Sequence, residues 1–130
     1  MPAELYPRAP LGVDRGETEG TRVIIAPRRG GWDQLAMGEW ELRAAGFGDC
    51  HPHDEVTYVL AGRLEVDCGG ERVVAGPGDV VRVPAHEPAY YYAPEFARML
   101  YVYGPNPSGE PAWTFTDRAV VAPSEPGSRA

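Results

Sequence analysis

Sixteen glycines and fourteen prolines cut this 130-residue chain into stretches too short for helices of several turns. Proline removes a backbone donor, and glycine accepts turn geometries that side chains resist. Such punctuation fits many short strands joined by tight turns. Between the breaks, side chains alternate. In "MGEWELRAA" (37–45), Trp40, Leu42 and Ala44 fall on one face and Glu39, Glu41 and Arg43 on the other, which is the period of a half-buried strand. The following "GFGD" is expected to end it.

The rest of the chain follows the same pattern. Strands are expected at "TRVIIAP" (21–27), at "EVTYVLAG" (55–62) and on both sides of a hairpin tip at Asp67–Glu71. Further strands are expected in "PGDVVRVPAHEP", "AYYYAP" and "ARMLYVYGP". No segment combines helix caps with three turns of apolar periodicity. The sum is roughly eight to ten short antiparallel strands, an all-β barrel or sandwich. One domain over residues 21–120 is expected, with a flexible N-terminal arm (1–20) and a flexible C-terminal tail (121–130), both polar and without periodicity.

The formal net charge is −7 and the twelve basic residues form no stripe, which argues against nucleic acid as a partner. No apolar run approaches the roughly 18 residues a bilayer span needs, and the first residues lack a basic-then-apolar signal layout, so a cytoplasmic protein is expected. Cys50 and Cys68 are too few for a disulfide scaffold and read as reduced thiols. Alternation turns Cys50 away from its neighbours, into packing.

Chemistry concentrates in "CHPHDEVTYVLAGRLEV" (50–66), which holds two of the three histidines. In an extended chain Asp49, His51, His53 and Glu55 share one face, and two imidazoles with two carboxylates suit Zn, Mn, Fe or Ni. Alternatively, Pro52 bends the chain and sends His53 toward the barrel mouth or solvent. Glu55, opening an apolar strand, needs a metal, a histidine or a proton. His86, in "PAHEP", reads as exposed. In "YYY", Tyr91 has the parity of Ala89, with Tyr90 and Tyr92 opposed. No nucleophilic Ser/His/Asp set and no phosphate loop is present.

These residues also resemble a family. In the cupins, small jelly-roll β-barrels, a first motif runs G-x5-H-x-H-x3-4-E-x6-G. Glu55 and Gly62 keep its E-x6-G half, His51 stands at the second histidine and Asp49 at the first, with Gly46 five residues before His51. A second motif, G-x5-P-x-G-x2-H-x3-N, is matched by Pro77, Gly78 and Asp79, and its histidine falls on Ala89. "GEWEL", "DEVTYVLAGRLEV" and "VVAGPGDVVRVPA" are most similar to the branch around ethanolamine-utilisation protein Q. The resemblance covers about residues 37–105.

The resemblance implies a single-domain cupin jelly-roll barrel, a small-molecule ligand or substrate, and a homodimer in which N-terminal strands are exchanged. It ranks His51 and Glu55 first as metal ligands, with Asp49 and His53 competing for a third place. Glu55, Tyr58 and Tyr91 are the candidate catalytic groups. A metal-dependent lyase, isomerase or oxygenase and a metal-free binding or accessory protein both fit, because cupins include each of them.

Overall fold

The computed structural model describes residues 2–13 and 18–118. Among these lie nine strands: β1 (Gly12–Val13), β2 (Glu19–Ile25), β3 (Ala36–Cys50), β4 (Glu55–Gly62), β5 (Leu64–Cys68), β6 (Glu71–Ala75), β7 (Val80–Val83), β8 (Ala89–Tyr103) and β9 (Trp113–Phe115). All pair antiparallel, in the order β1-β2-β3-β8-β4-β7, while β5 links β6 to β8 and β9 joins β3. The expected tail over 121–130 lies outside the described residues.

The two fifteen-residue strands, β3 and β8, organise the molecule. One half of β8 pairs with β4 and the other with β5, while β3 runs beside it throughout. Their register shifts between Arg43 and Ala45, where Ala44 takes a φ of 47°. A bulge of this kind turns a strand from one sheet into another. Trp40, Leu42, Val59 and Met99 on one side of the corner meet Leu64, Val66, Tyr91 and Ala93 on the other in one buried cluster. Burying each large side chain there contributes about 1.5–3 kcal/mol. The fold is the all-β barrel that the alternation predicts.

Two expected strand limits are corrected. "GFGD" does not end β3, which continues to Cys50. Gly46 and Gly48 are strand residues whose missing side chains make room for the Tyr90 and Phe115 rings packed against them. "AYYYAP" and "ARMLYVYGP" form a single strand. Pro94 sits at the corner, outside the β3 register, so its missing N–H breaks no ladder bond there. Ala44, expected inside with Trp40 and Leu42, is exposed because the bulge resets the alternation.

Gly62 ends β4 with a φ of 79°, and a side chain there would run into the Phe96 carbonyl, which accepts the Arg63 N–H at 2.9 Å. This turn is the physical content of the E-x6-G spacing: it carries the chain round the corner into β5, which continues along β8 in the same direction, and leaves Glu55 at the far end of β4.

Candidate functional site

Asp49 is next to last in β3, Glu55 opens β4, and the segment 51–54 joins them. That segment is pinned at several points. The His51 carbonyl accepts the His86 N–H at 2.7 Å. The Asp54 carboxylate takes the Ala85 N–H at 2.9 Å and the Arg82 guanidinium at 2.6 Å. The backbone reversal thereby brings three side chains to one buried point. His51 Nε2 lies 3.0 Å from Asp49 Oδ2 and 3.6 Å from Glu55 Oε2. From the opposite wall, the Tyr91 hydroxyl donates to Glu55 Oε1 at 2.8 Å. One possible ligand atom from each of Asp49, His51 and Glu55 lies within 4.8 Å of the others.

Burial governs the electrostatics. It lifts Glu55 from the ordinary carboxylate range to about 7, with the Asp49 charge adding and His51 and Tyr91 opposing. Burial alone would lower His51, but its hydrogen bond to Asp49 and the charges of Glu55 and Asp49 outweigh it and raise the pKa. Tyr91, fully enclosed and facing Glu55, is pushed well above its usual value.

His53 does not join this cluster. It is 6% exposed, and its ring stacks on His51 and on Tyr103 at centroid distances of 4.8 and 4.5 Å. Burial lowers its pKa, so it stands as a neutral ring behind His51. Pro52 does turn the chain, but inward against aromatics rather than out to solvent.

Tyr58 does not reach the site. Its odd spacing from Glu55 sends it to the outer face, 42% exposed, which corrects its expected place beside the substrate. Tyr91 does face inward, with Ala89 and Ala93. Ala89 is opposite Asp49 in the ladder, so the position of the missing histidine borders the cluster. His86 is exposed, with a φ of 65°.

Above the cluster opens a cavity of about 1000 Å³, walled by Trp32, Trp40, Phe47, Tyr101 and Tyr103 and edged by Arg28 and Arg29. Neither strand alternation nor the motifs assigned Trp32 and the two arginines a role. The segment between β2 and β3 is bound to the one after β8. Trp32 and Asn106 exchange backbone hydrogen bonds of 2.9 Å each way, and Trp32 packs edge-on against Tyr103. A tryptophan inside a glycine-rich turn was the available signal, because a large ring needs a surface to cover.

Residues 44–103 match the family model described as "Cupin domain", and the described strands around them form the corresponding barrel. The match spans a little under half of the chain. The chain is 29% identical over 72 residues, 55% of its length, to the protein called acetate kinase EutQ of Clostridioides difficile strain 630, of which it spans 46%. The solved structure of the Clostridium difficile EutQ protein superposes with a TM-score of 0.59 at 25% identity, over 72% of this chain and 66% of that one. An ethanolamine utilization protein Q from Salmonella typhimurium LT2 gives a TM-score of 0.59 at 27% identity, over 68% and 70%. The branch resemblance read from the motifs therefore extends to the three-dimensional structure.

The residues present fit a divalent ion. Two carboxylates and an imidazole form a mixed oxygen–nitrogen set with room for further ligands from the cavity. Asp49 Oδ1 is buried without a hydrogen-bond partner, as expected of an acceptor waiting for a cation.

Proposed function

We propose that this cupin binds a small molecule in the aromatic-walled cavity and holds a divalent ion, Zn, Mn, Fe or Ni, on Asp49, His51 and Glu55. The observation that carries this reading is the convergence of two buried carboxylates on one imidazole, with one Asp49 oxygen left unsatisfied. Two such carboxylates repel each other in a poorly solvated site, and a dication relieves that repulsion. When bound, the ion supplies Lewis-acid polarisation of a ligand oxygen.

The protein's own groups support proton transfer. In the metal-free site Glu55, near 7, can act as base or acid at neutral pH, with Tyr91 fixing its orientation, whereas with an ion bound it is held as a carboxylate ligand. Trp40, Tyr101 and Tyr103 shield the ligand from water. Lyase or isomerase chemistry next to a polarised group fits this set best.

A metal-free reading is favoured by one observation. His51 already lies within 3.0 and 3.6 Å of the two carboxylates, so an imidazolium alone partly neutralises them. Calorimetric titration with Zn, Mn, Ni and Fe(II) separates the two. Wild type is expected to bind at least one of them, and Asp49→Asn, His51→Ala and Glu55→Gln to bind each more weakly. Wild-type binding no better than about millimolar for every ion sinks the metal reading and leaves the imidazolium pocket.

The homodimer is proposed as well. An exposed apolar row on the outer face, Val56, Tyr58 and Leu60 of β4 beside Val80 of β7, is surface that a second copy would cover. β2 is edged by β1 over only two residues, which leaves strand edge for an exchanged arm. A light-scattering mass of one chain at micromolar concentration removes this part. A cytoplasmic setting agrees with the two free thiols, Cys50 and Cys68.

A further inference from the structure

We infer that the cavity takes a small organic anion whose carboxylate or phosphate group is held at the mouth by Arg28 and Arg29. This rests on the small-molecule reading of the pocket, but not on the metal.

The chain contains no lysine, so apart from histidine every cationic side chain is a guanidinium, the group whose fork matches an oxyanion. Seven of the ten arginines among the described residues pair with a carboxylate. Of the other three, Arg8 lies in the N-terminal arm, and Arg28 and Arg29 are neighbours that both edge the cavity. In a protein of net charge −7, with carboxylates to spare, two adjacent guanidinia without a carboxylate partner mark a place where an incoming anion meets no competitor already in contact.

Isolated surface arginines are usually just solvated, so a second observation matters. Four buried side-chain polar atoms among the described residues have no hydrogen-bond partner, and three of them, Thr21 Oγ1, Trp32 Nε1 and Asp49 Oδ1, belong to residues lining this one cavity. Two of those three groups are donors, and a ligand rich in acceptor oxygens satisfies them. The segment bearing the arginines is also held in place. Gly31 abuts the Pro107 carbonyl so closely that a side chain has no room, and the Trp32–Asn106 hydrogen bonds follow immediately. A mouth fixed in advance loses little entropy when it binds. Four carboxylates, Glu19, Asp49, Glu55 and Glu110, also line the cavity and oppose an anion; Asp49 and Glu55 already face His51, so the oxyanion is assigned to the two exposed arginines rather than to the buried cluster.

The test uses malate as the carboxylate probe, glycerol 3-phosphate as the phosphate probe and malamide as the neutral control. Binding is followed by calorimetry and by the fluorescence of Trp32 and Trp40, in chelator-treated protein and again with Mn, so loss of metal binding and loss of anion binding are read separately. Wild type is expected to bind malate or glycerol 3-phosphate, and whichever binds more tightly assigns the anion. Arg28→Gln/Arg29→Gln should weaken that anion by about tenfold or more while the melting temperature stays put, because both side chains are exposed. Glu110→Gln should tighten it, and added salt should weaken it in wild type more than in the double variant. The inference is overturned if wild type binds neither anion, or if the double variant binds it as wild type does. Malamide binding as tightly as malate also overturns the anion assignment, yet keeps a small-molecule pocket.

Discussion

Tyr91 donates a 2.8 Å hydrogen bond to Glu55 across 36 residues of sequence, and both side chains are buried. The bond joins the middle of the barrel wall to the first residue of β4, so the ionisation of Glu55 is coupled to the packing of the core. Replacing Tyr91 by Phe keeps the ring and removes the donor. The expected loss is about 1.5–3 kcal/mol at pH 8, where the acceptor is charged, and about 1 kcal/mol at pH 5.5, where it is neutral. Urea denaturation at the two pH values measures the difference, and equal losses would refute the coupling.

Stability of the metal-free protein should fall as pH rises through neutrality. Burial lifts the Glu55 carboxyl to about 7 in the fold, against 4.5 for the ordinary side chain. A raised carboxyl pKa means that the folded state keeps a proton the unfolded chain has lost. The Glu55 contribution to stability is therefore largest below pH 4.5 and declines up to about 7. His51 acts in the same direction: with its folded pKa raised above 6.5, its contribution is present below 6.5 and is lost above the folded value. The Glu55 part of the decline, between pH 4.5 and 7, is on the order of 3 kcal/mol. Glu55→Gln should flatten the profile. A bound divalent ion should reverse its slope, because metal and protons compete for the same atoms. Denaturant midpoints with and without chelator give both results.

The two histidines of "HPH" should separate cleanly. His51→Ala removes the imidazole that touches both carboxylates and is expected to abolish metal binding. His53→Phe keeps a ring packed on both His51 and Tyr103, and is expected to leave metal affinity within about threefold of wild type. A large loss on His53→Phe, measured by calorimetric titration, would make His53 a ligand after all.

Ala89→His should act in two opposite directions. The position is opposite Asp49 and completely enclosed, so the larger ring overpacks the core and lowers stability by about 1–3 kcal/mol. It also places a further imidazole beside the cluster, and affinity for Zn or Ni should rise. Thermal denaturation and calorimetry on the same preparation check both effects. Unchanged affinity would remove position 89 from the neighbourhood of the ion.

Period-two alternation is a local property, and what depends on it was legible in the residues themselves. Trp40 and Leu42 face inward, Glu55, Thr57 and Val59 turn in while Val56, Tyr58 and Leu60 turn out, and Tyr91 follows Ala89 into the core, because neighbouring side chains on an extended chain must take opposite faces. The spacing of Asp49, His51 and Glu55 was legible as a ligand pattern, but the bend over 51–54 rather than alternation brings them together, and His53 of the same parity stays out. Tertiary structure decided everything that depends on partners far along the chain. Gly46 and Gly48 looked like a break and are strand residues, because the rings of Tyr90 and Phe115 come to rest on them. His53 turned onto Tyr103, fifty residues away, instead of toward the carboxylates. The mouth of the cavity exists only because the segment carrying Arg28, Arg29 and Trp32 is hydrogen-bonded to Asn106. Local periodicity sets the face a side chain takes, whereas the neighbour it meets there is set by long-range pairing between strands and loops, whose register no short stretch of sequence contains.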